Sequence, residues 1–221
     1  MLLDIKSHKI RTDMTLNDLG IMHGTDKSSS GHGYMELYET LFEPMRHTAC
    51  NILEIGVHTG ASLRVWRDYF PLATIIGVDI NSSALACNGD RINILIADQS
   101  NRQQMESIGN NYKEFDIIID DGSHFWDHQI ISLQTMLKFV RPGGFYIIED
   151  IDTSYGDYVK TYSHNQEISC ADYLKLMLDR VIENNPHDSD SQEDFIANTY
   201  KEIKYMLFSK HVVIIKTNEK I

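Results

Sequence analysis

Two short acidic segments carry the chemistry in this chain. Asp120-Asp121-Gly122-Ser123-His124 follows the apolar run Phe115-Asp116-Ile117-Ile118-Ile119, and Glu149-Asp150 follows a second run, Gly144-Phe145-Tyr146-Ile147-Ile148. Neighbouring strands with these ends would deliver four carboxylates to one edge of a sheet, with a histidine three residues beyond Asp121. Carboxylate oxygens are hard donors that prefer Mg²⁺, with Mn²⁺ or Ca²⁺ as substitutes, over Zn²⁺. Such a cation chelates two vicinal hydroxyls and makes one of them easier to deprotonate. An imidazole titrates near neutral pH and can take that proton. The segments therefore read as a metal site with a base, His124, beside it.

Their neighbours divide into supporting parts. Asp120 is read as a cofactor-side residue rather than a metal ligand, and Ser123 as a turn residue, since no acyl-transfer elbow surrounds it. His128, one helical turn after His124, and Tyr155, in the connection after the second acidic pair, are candidates for substrate contact. His164 lies in that same connection, where lone aromatic side chains usually pack rather than bind.

A second set of residues has the form of a cofactor site. Leu53-Glu54-Ile55-Gly56-Val57-His58-Thr59-Gly60-Ala61-Ser62 places two glycines where a strand turns into a helix. A ligand can approach such a backbone closely, and the helix start offers free N–H groups. The spacing is G-x-x-x-G, not the dinucleotide pattern G-x-G-x-x-G. Asp79 ends the next strand, where an acid accepts hydrogen bonds from ribose hydroxyls, and Asp98-Gln99 ends the third, suited to an adenine edge. Each signal alone is equally well explained by a tight turn or a helix cap. Their order on successive strands is more specific, because ligands of open α/β sheets collect at the carboxyl ends of strands.

The elements that must position these groups are legible as apolar runs at residues 51–55, 74–79, 92–97, 115–120, 144–148, 203–208 and 211–216. The first five are almost continuously apolar and read as buried parallel strands. Stretches with helical spacing lie between them, such as Leu63, Trp66 and Phe70, or Ile130, Leu133, Met136, Leu137 and Val140. This alternation predicts a doubly wound α/β sheet. Only Ser209-Lys210 joins the last two runs, which predicts an antiparallel hairpin at one edge. Thr15 and Asp18 mark a helix start, and Met35, Tyr38, Leu41 and Phe42 share a helical face. Residues 24–33 read as a mobile polar loop, residues 152–170 as a long connection of the functional kind, and residues 183–194 as a solvated acidic excursion.

Composition sets outer bounds. With 42% hydrophobic residues in 221, a substantial core is expected, and a net charge of −12 without basic clusters disfavours nucleic acid as a partner. Cys50, Cys87 and Cys170 are odd in number and far apart, so they are expected to be reduced, buried packing residues. No run is long enough for a membrane span, and residues 1–13 are too polar for a signal peptide. A soluble, cytoplasmic protein is expected.

The order of these motifs resembles the class I S-adenosylmethionine-dependent methyltransferases, over residues 51–216. The resemblance implies a Rossmann-like, seven-stranded, mostly parallel sheet with an antiparallel last strand, preceded by a short N-terminal helical segment. It implies S-adenosylmethionine as cofactor, with Glu54, Gly56, Gly60 and Ser62 near its methionine part, Asp79 at the ribose, Asp98 and Gln99 at the adenine, and Asp120 alongside. Within that superfamily, Asp-Asp-Gly-Ser-His followed by Ile-Glu-Asp-Ile-Asp-Thr-Ser-Tyr resembles the metal-dependent sugar O-methyltransferases of macrolide and polyketide glycoside biosynthesis, of the mycinamicin and elloramycin type. The 28 positions between Asp121 and Glu149 match that group. It implies Asp121, Glu149 and Asp150 as ligands of Mg²⁺, His124 as general base, and a small-molecule glycoside or sugar as acceptor. Thr25 and Tyr34 would lie in an N-terminal segment that closes over the cofactor.

Asp152 departs from the His common in that family. The family's N-terminal auxiliary domain has no counterpart in residues 1–50, so homo-oligomer contacts and acceptor size are expected to differ. The expected organisation is one domain, with residues 1–48 a helical cap and 49–217 the core. Three alternatives share the strand-end acids: a catechol-type O-methyltransferase, a cephalosporin hydroxylase-like enzyme, and an inactive cofactor-binding module. No 2-His-1-carboxylate pattern is evident in the sequence, which weighs against iron chemistry.

Overall fold

The computed structural model describes residues 13–183 and 194–219. Residues 1–12 and nearly all of the acidic stretch at 183–194 lie outside the described residues. The chain divides into two compact units, residues 1–96 and 97–221.

The first unit opens with helix α1 (Leu16–His23), started by a reciprocal cap. Thr15 Oγ1 accepts from the Asp18 N–H and Asp18 Oδ2 accepts from the Thr15 N–H, each at 3.1 Å, which satisfies two otherwise orphaned donors. Helix α2 (Met35–Phe42) buries Met35, Tyr38 and Phe42, whereas Leu41 is only half-buried. Helix α2 shares an aromatic core with α3 (Ala61–Tyr69), to which α1 is tied through its last residue. The Trp66 ring lies 6.2 Å from Tyr38 and 6.3 Å from Phe42, and His23 Nε2 stands 2.8 Å from Asp68 Oδ2. Edge-to-face and tilted ring pairs of this kind add roughly 0.5–1.5 kcal/mol each beyond the area they bury.

Strands β1 (Asn51–Ile55), β2 (Thr74–Asp79) and β3 (Ile92–Ile96) of this unit are parallel. The interiors of β1 and β2 are buried throughout, as continuous apolar runs require. β3 departs from the expectation: Asn93 and Ile96, on opposite faces of this strand at the end of the strand order, are exposed. Residues 24–33 are not a loose loop either. Lys27 is 2% exposed and Ser28 is fully buried, and the segment closes on itself through Gly31 N–H to Ser28 O (2.9 Å), His32 N–H to Asp26 O (2.6 Å) and Met35 N–H to Lys27 O (3.2 Å). Its polar composition reflects groups that satisfy one another, not mobility.

The second unit contains α4 (Arg102–Tyr112), β4 (Phe115–Asp120), α5 (Trp126–Met136), β5 (Val140–Ile148), α6 (Val159–Tyr162), α7 (Cys170–Glu183), α8 (Asp194–Thr199), β6 (Ile203–Phe208) and β7 (Val213–Thr217). β4 and β5 are parallel, and β7 runs antiparallel to both β5 and β6. Val140, expected on the face of α5, instead opens β5 opposite Phe115, ahead of a register shift between Phe115 and Ile117. Ile130, expected on the same face, is half-buried. The connection after β5 is not an open loop but three short helical turns, residues 151–154, 156–158 and α6. The strand order is β3-β2-β1 within the first unit and β4-β5-β7-β6 within the second. Cys50 and Cys170 are buried free thiols; Cys87, expected to be buried, is half-buried. No helix among the described residues is long and apolar enough to cross a membrane.

Candidate active site

In the second unit, β4 and β5 end side by side. Asp120 pairs with Ile148, and the Glu149 N–H donates to Asp120 O at 3.0 Å. The backbone then turns sharply at two positions. His124 has φ 59° and Asp150 φ 53°, both in the left-handed region that residues with a Cβ enter at a cost of roughly 1–2 kcal/mol. The turn at Asp150 is held by Thr153, whose N–H and Oγ1 both donate to Asp150 O at 3.1 and 2.8 Å. The indole of Trp126, first residue of α5, ties into the same turn by donating to Thr153 O at 3.2 Å.

These turns bring Asp121, His124 and Asp150 together, with one donor atom of each within 4.8 Å of the others. His124 Nε2 lies 3.5 Å from Asp150 Oδ2, and its Nδ1 is buried with no hydrogen-bond partner among the described residues. Glu149, the third expected metal ligand, is buried and outside this group, with Gln129 Nε2 donating to its carbonyl at 3.1 Å. The group that assembles is two carboxylates and one imidazole, not three carboxylates.

Beneath it, Asp120 and Gln99 form a buried clamp. Gln99 Nε2 donates to both carboxylate oxygens of Asp120, at 2.7 and 2.9 Å, while Gln99 Oε1 accepts from the Ser123 N–H at 3.0 Å. Burial pushes the Asp120 carboxyl up to about 7, against hydrogen bonds from Gly122 and Gln99 that favour the charged form. The Gln99 carboxamide is thus engaged with Asp120 and with the loop that carries His124. A Cβ at Gly122 would stand 2.1 Å from Gln99 Oε1, which explains a glycine there. Asp98 folds back on Ser100, accepting from its N–H and Oγ, and these bonds hold its carboxyl below the usual range.

His128 Nδ1 and Ser123 Oγ are 2.8 Å apart, which gives Ser123 an orienting rather than a nucleophilic part. Tyr155 is half-exposed, with Lys175 Nζ 5.3 Å from its ring centroid. A second cluster unites Asp127, His128 and His164. It supplies the 2-His-1-carboxylate set that the sequence did not reveal, because His164 Nδ1 reaches Asp127 across 37 positions.

In the first unit, the turn after β1 carries Gly56 (φ 92°) and Gly60 (φ 70°). A Cβ at Gly60 would meet Cys87 Sγ at 2.9 Å, and α3 starts there without a side-chain cap, so its first N–H groups remain available to an anion. Asp79 braces the turn: its Oδ2 accepts from the N–H groups of Val57 (2.9 Å) and His58 (3.2 Å), and its Oδ1 from Asn81 (2.8 Å). Glu54 is fully buried and accepts from Ser62 Oγ at 2.5 Å and from the Trp66 indole. Thr25 and Tyr34 are both buried, and the Tyr34 ring stacks on His32 at 5.3 Å.

Residues 53–148 match the methyltransferase domain family. The MycE methyltransferase of the mycinamycin biosynthetic pathway, solved with Mg and SAH, superposes over 93% of this chain and 55% of its own, at a TM-score of 0.82 and 28% identity. Residues 53–148 thus carry a methyltransferase-domain match on the fold of that enzyme. The chain is also similar to a tetracenomycin-C rhamnoside 3'-O-methyltransferase of Streptomyces olivaceus, 37% identical over 147 residues, covering 63% of this chain and 37% of that protein. Its similarity to the mycinamicin VI 2''-O-methyltransferase of Micromonospora griseorubida is 34% over 175 residues, covering 75% and 44%. The chain thus spans less than half the length of these curated relatives.

Proposed function

We propose that this domain transfers a methyl group from S-adenosylmethionine to a sugar hydroxyl of a glycosylated small molecule, with Mg²⁺ held by the converging carboxylates of Asp121 and Asp150, with Glu149, next to Asp150 at the end of β5, completing the set on metal binding, and with His124 as the general base. The observation that carries this reading is the convergence of Asp121, His124 and Asp150 at the ends of two adjacent parallel strands. The carboxylates of Asp121 and Asp150 fit a hard divalent cation, and two left-handed residues maintained at one place are the kind of strain that clusters at functional sites. When bound, the cation supplies positive charge that gathers vicinal hydroxyls and favours loss of a proton from one of them.

The chain's own residues do the rest. His124, with one ring nitrogen unpartnered and the other facing Asp150, takes the acceptor's proton, and the Asp150 carboxylate offsets the charge of the protonated ring. Gln99 and Asp120 hold the loop so that the ring stays in place. The open start of α3 receives the anionic end of the cofactor, and Asp79 receives its ribose, while Glu54 and Ser62 act on the cofactor by holding the glycine turn. Relatives that act on rhamnosyl tetracenomycins and on mycinamicin VI support a glycoside as the acceptor. A cytoplasmic location fits a reaction that draws on S-adenosylmethionine.

Isothermal titration with S-adenosylmethionine, with and without a chelator, tests the reading together with a glycoside turnover assay. Cofactor binding is expected in both conditions and methyl transfer only with Mg²⁺. Absence of cofactor binding in both would end the methyltransferase reading.

A further inference from the structure

We propose that Asp127, His128 and His164 form a second cation site, selective for a borderline transition-metal ion of the Zn²⁺ type rather than for Mg²⁺. The three side chains come from two elements of the second unit. Asp127 and His128 lie in the first turn of α5, and His164 lies just after α6, held by consecutive left-handed residues, His164 (φ 50°) and Asn165 (φ 61°). One donor atom of each lies within 4.8 Å of the others. His164 Nδ1 is 3.0 Å from Asp127 Oδ2, and His128 Nε2 is 4.0 Å from the same oxygen. Donors of a tetrahedral ion with bonds of about 2.0–2.1 Å stand about 3.3 Å apart, so the observed spacing closes on an ion with small side-chain movements.

The chemistry of the set separates it from the first group. Two imidazoles and one carboxylate favour Zn²⁺, Co²⁺, Ni²⁺ or Fe²⁺, whereas hard ions favour oxygen donors. The ring orientation is already fixed as ligating histidines require: His128 is tied through Nδ1 to Ser123 Oγ at 2.8 Å, which leaves Nε2 for the ion. Phe125 backs the site, its ring 5.2 Å from His128 and 5.0 Å from His164. The two groups share no residue. A bound ion would clip the turn after α6 onto the start of α5, beside the Tyr162 ring that lies 6.3 Å from His124. This also gives His128 a role other than contact with the acceptor.

The test titrates Zn²⁺ and Co²⁺ into the metal-stripped 221-residue chain held in excess Mg²⁺, by calorimetry and by the visible absorption of Co²⁺. One site is expected. His164→Ala removes a side chain that is half-exposed and should fold normally, and it is expected to weaken binding by at least about tenfold, or ~1.4 kcal/mol. Asp127→Asn should do the same, and Asp121→Asn should leave the site intact. The proposal is overturned if the parent binds neither ion, if His164→Ala binds as the parent does, or if Asp121→Asn abolishes binding. None of these outcomes depends on methyl transfer, so the inference stands or falls apart from the proposed activity.

Discussion

The Gln99 carboxamide donates to both oxygens of the buried Asp120 carboxylate, at 2.7 and 2.9 Å, and accepts from the Ser123 N–H with its own oxygen. One side chain thus fixes the end of β4 and the loop that presents Asp121 and His124. Hydrogen bonds to charged groups contribute about 1.5–3 kcal/mol, and a buried partner left alone costs comparably. Gln99→Leu is therefore expected to lower the unfolding free energy by about 2–3 kcal/mol in urea denaturation. An unchanged midpoint and slope would contradict the clamp.

Gly122 and Gln99 should be coupled. A methyl group at Gly122 would displace Gln99 Oε1, so Gly122→Ala and Gln99→Leu disturb the same arrangement. In a double-mutant cycle the pair is expected to cost less than the two singles added together, with a coupling above about 0.5 kcal/mol. Strict additivity would mean that the glycine serves some other need.

Asp120 gives the fold a specific pH dependence. Its carboxyl is raised by burial to about 7 from 3.8, so the protonated form is the one the folded state favours. Its contribution is fully present below about 4 and is lost as the pH rises through about 7. In metal-free protein, Asp120→Asn removes this loss, whatever its constant offset. Relative to the parent, the variant should gain on the order of 2 kcal/mol between pH 5.5 and 8. Denaturation curves at those two values decide it, and parallel behaviour of both proteins would rule out a protonated Asp120.

Gly60 occupies a left-handed position against Cys87. Gly60→Ala is expected to cost about 1–2 kcal/mol from backbone strain alone. Because the start of α3 is where the cofactor's anionic end is proposed to sit, its affinity should fall about tenfold or more, ~1.4 kcal/mol per decade. Calorimetry with S-adenosylmethionine measures this directly; parental affinity in the folded variant would remove the glycine turn from the cofactor site.

Much of this arrangement was legible in the sequence because it is written in local patterns. β1, β2, β4 and β5 keep the continuous apolar runs that buried strands need, Thr15 and Asp18 form the cap their spacing implies, and the acids after β4 and β5 emerge together. What was not legible depends on partners distant in sequence. A glutamine after a strand has the same appearance whether it faces a nucleobase or, as Gln99 does, an acid 21 positions on. Nothing local marks His164 as a neighbour of Asp127, or Lys27 as buried within a polar loop. The position of β3 at the end of the sheet, where Asn93 and Ile96 are exposed, is likewise a property of strand order.

The most direct test of the central claim is the rate of methyl transfer to a glycoside acceptor, followed by mass spectrometry, in the parent and in His124→Ala at saturating S-adenosylmethionine and Mg²⁺. General-base removal is expected to lower turnover by about 10²–10⁴-fold. Cofactor affinity should be unchanged, and chelation of Mg²⁺ should abolish transfer by the parent. Transfer at the parental rate by His124→Ala, or by the parent after chelation, would contradict the account.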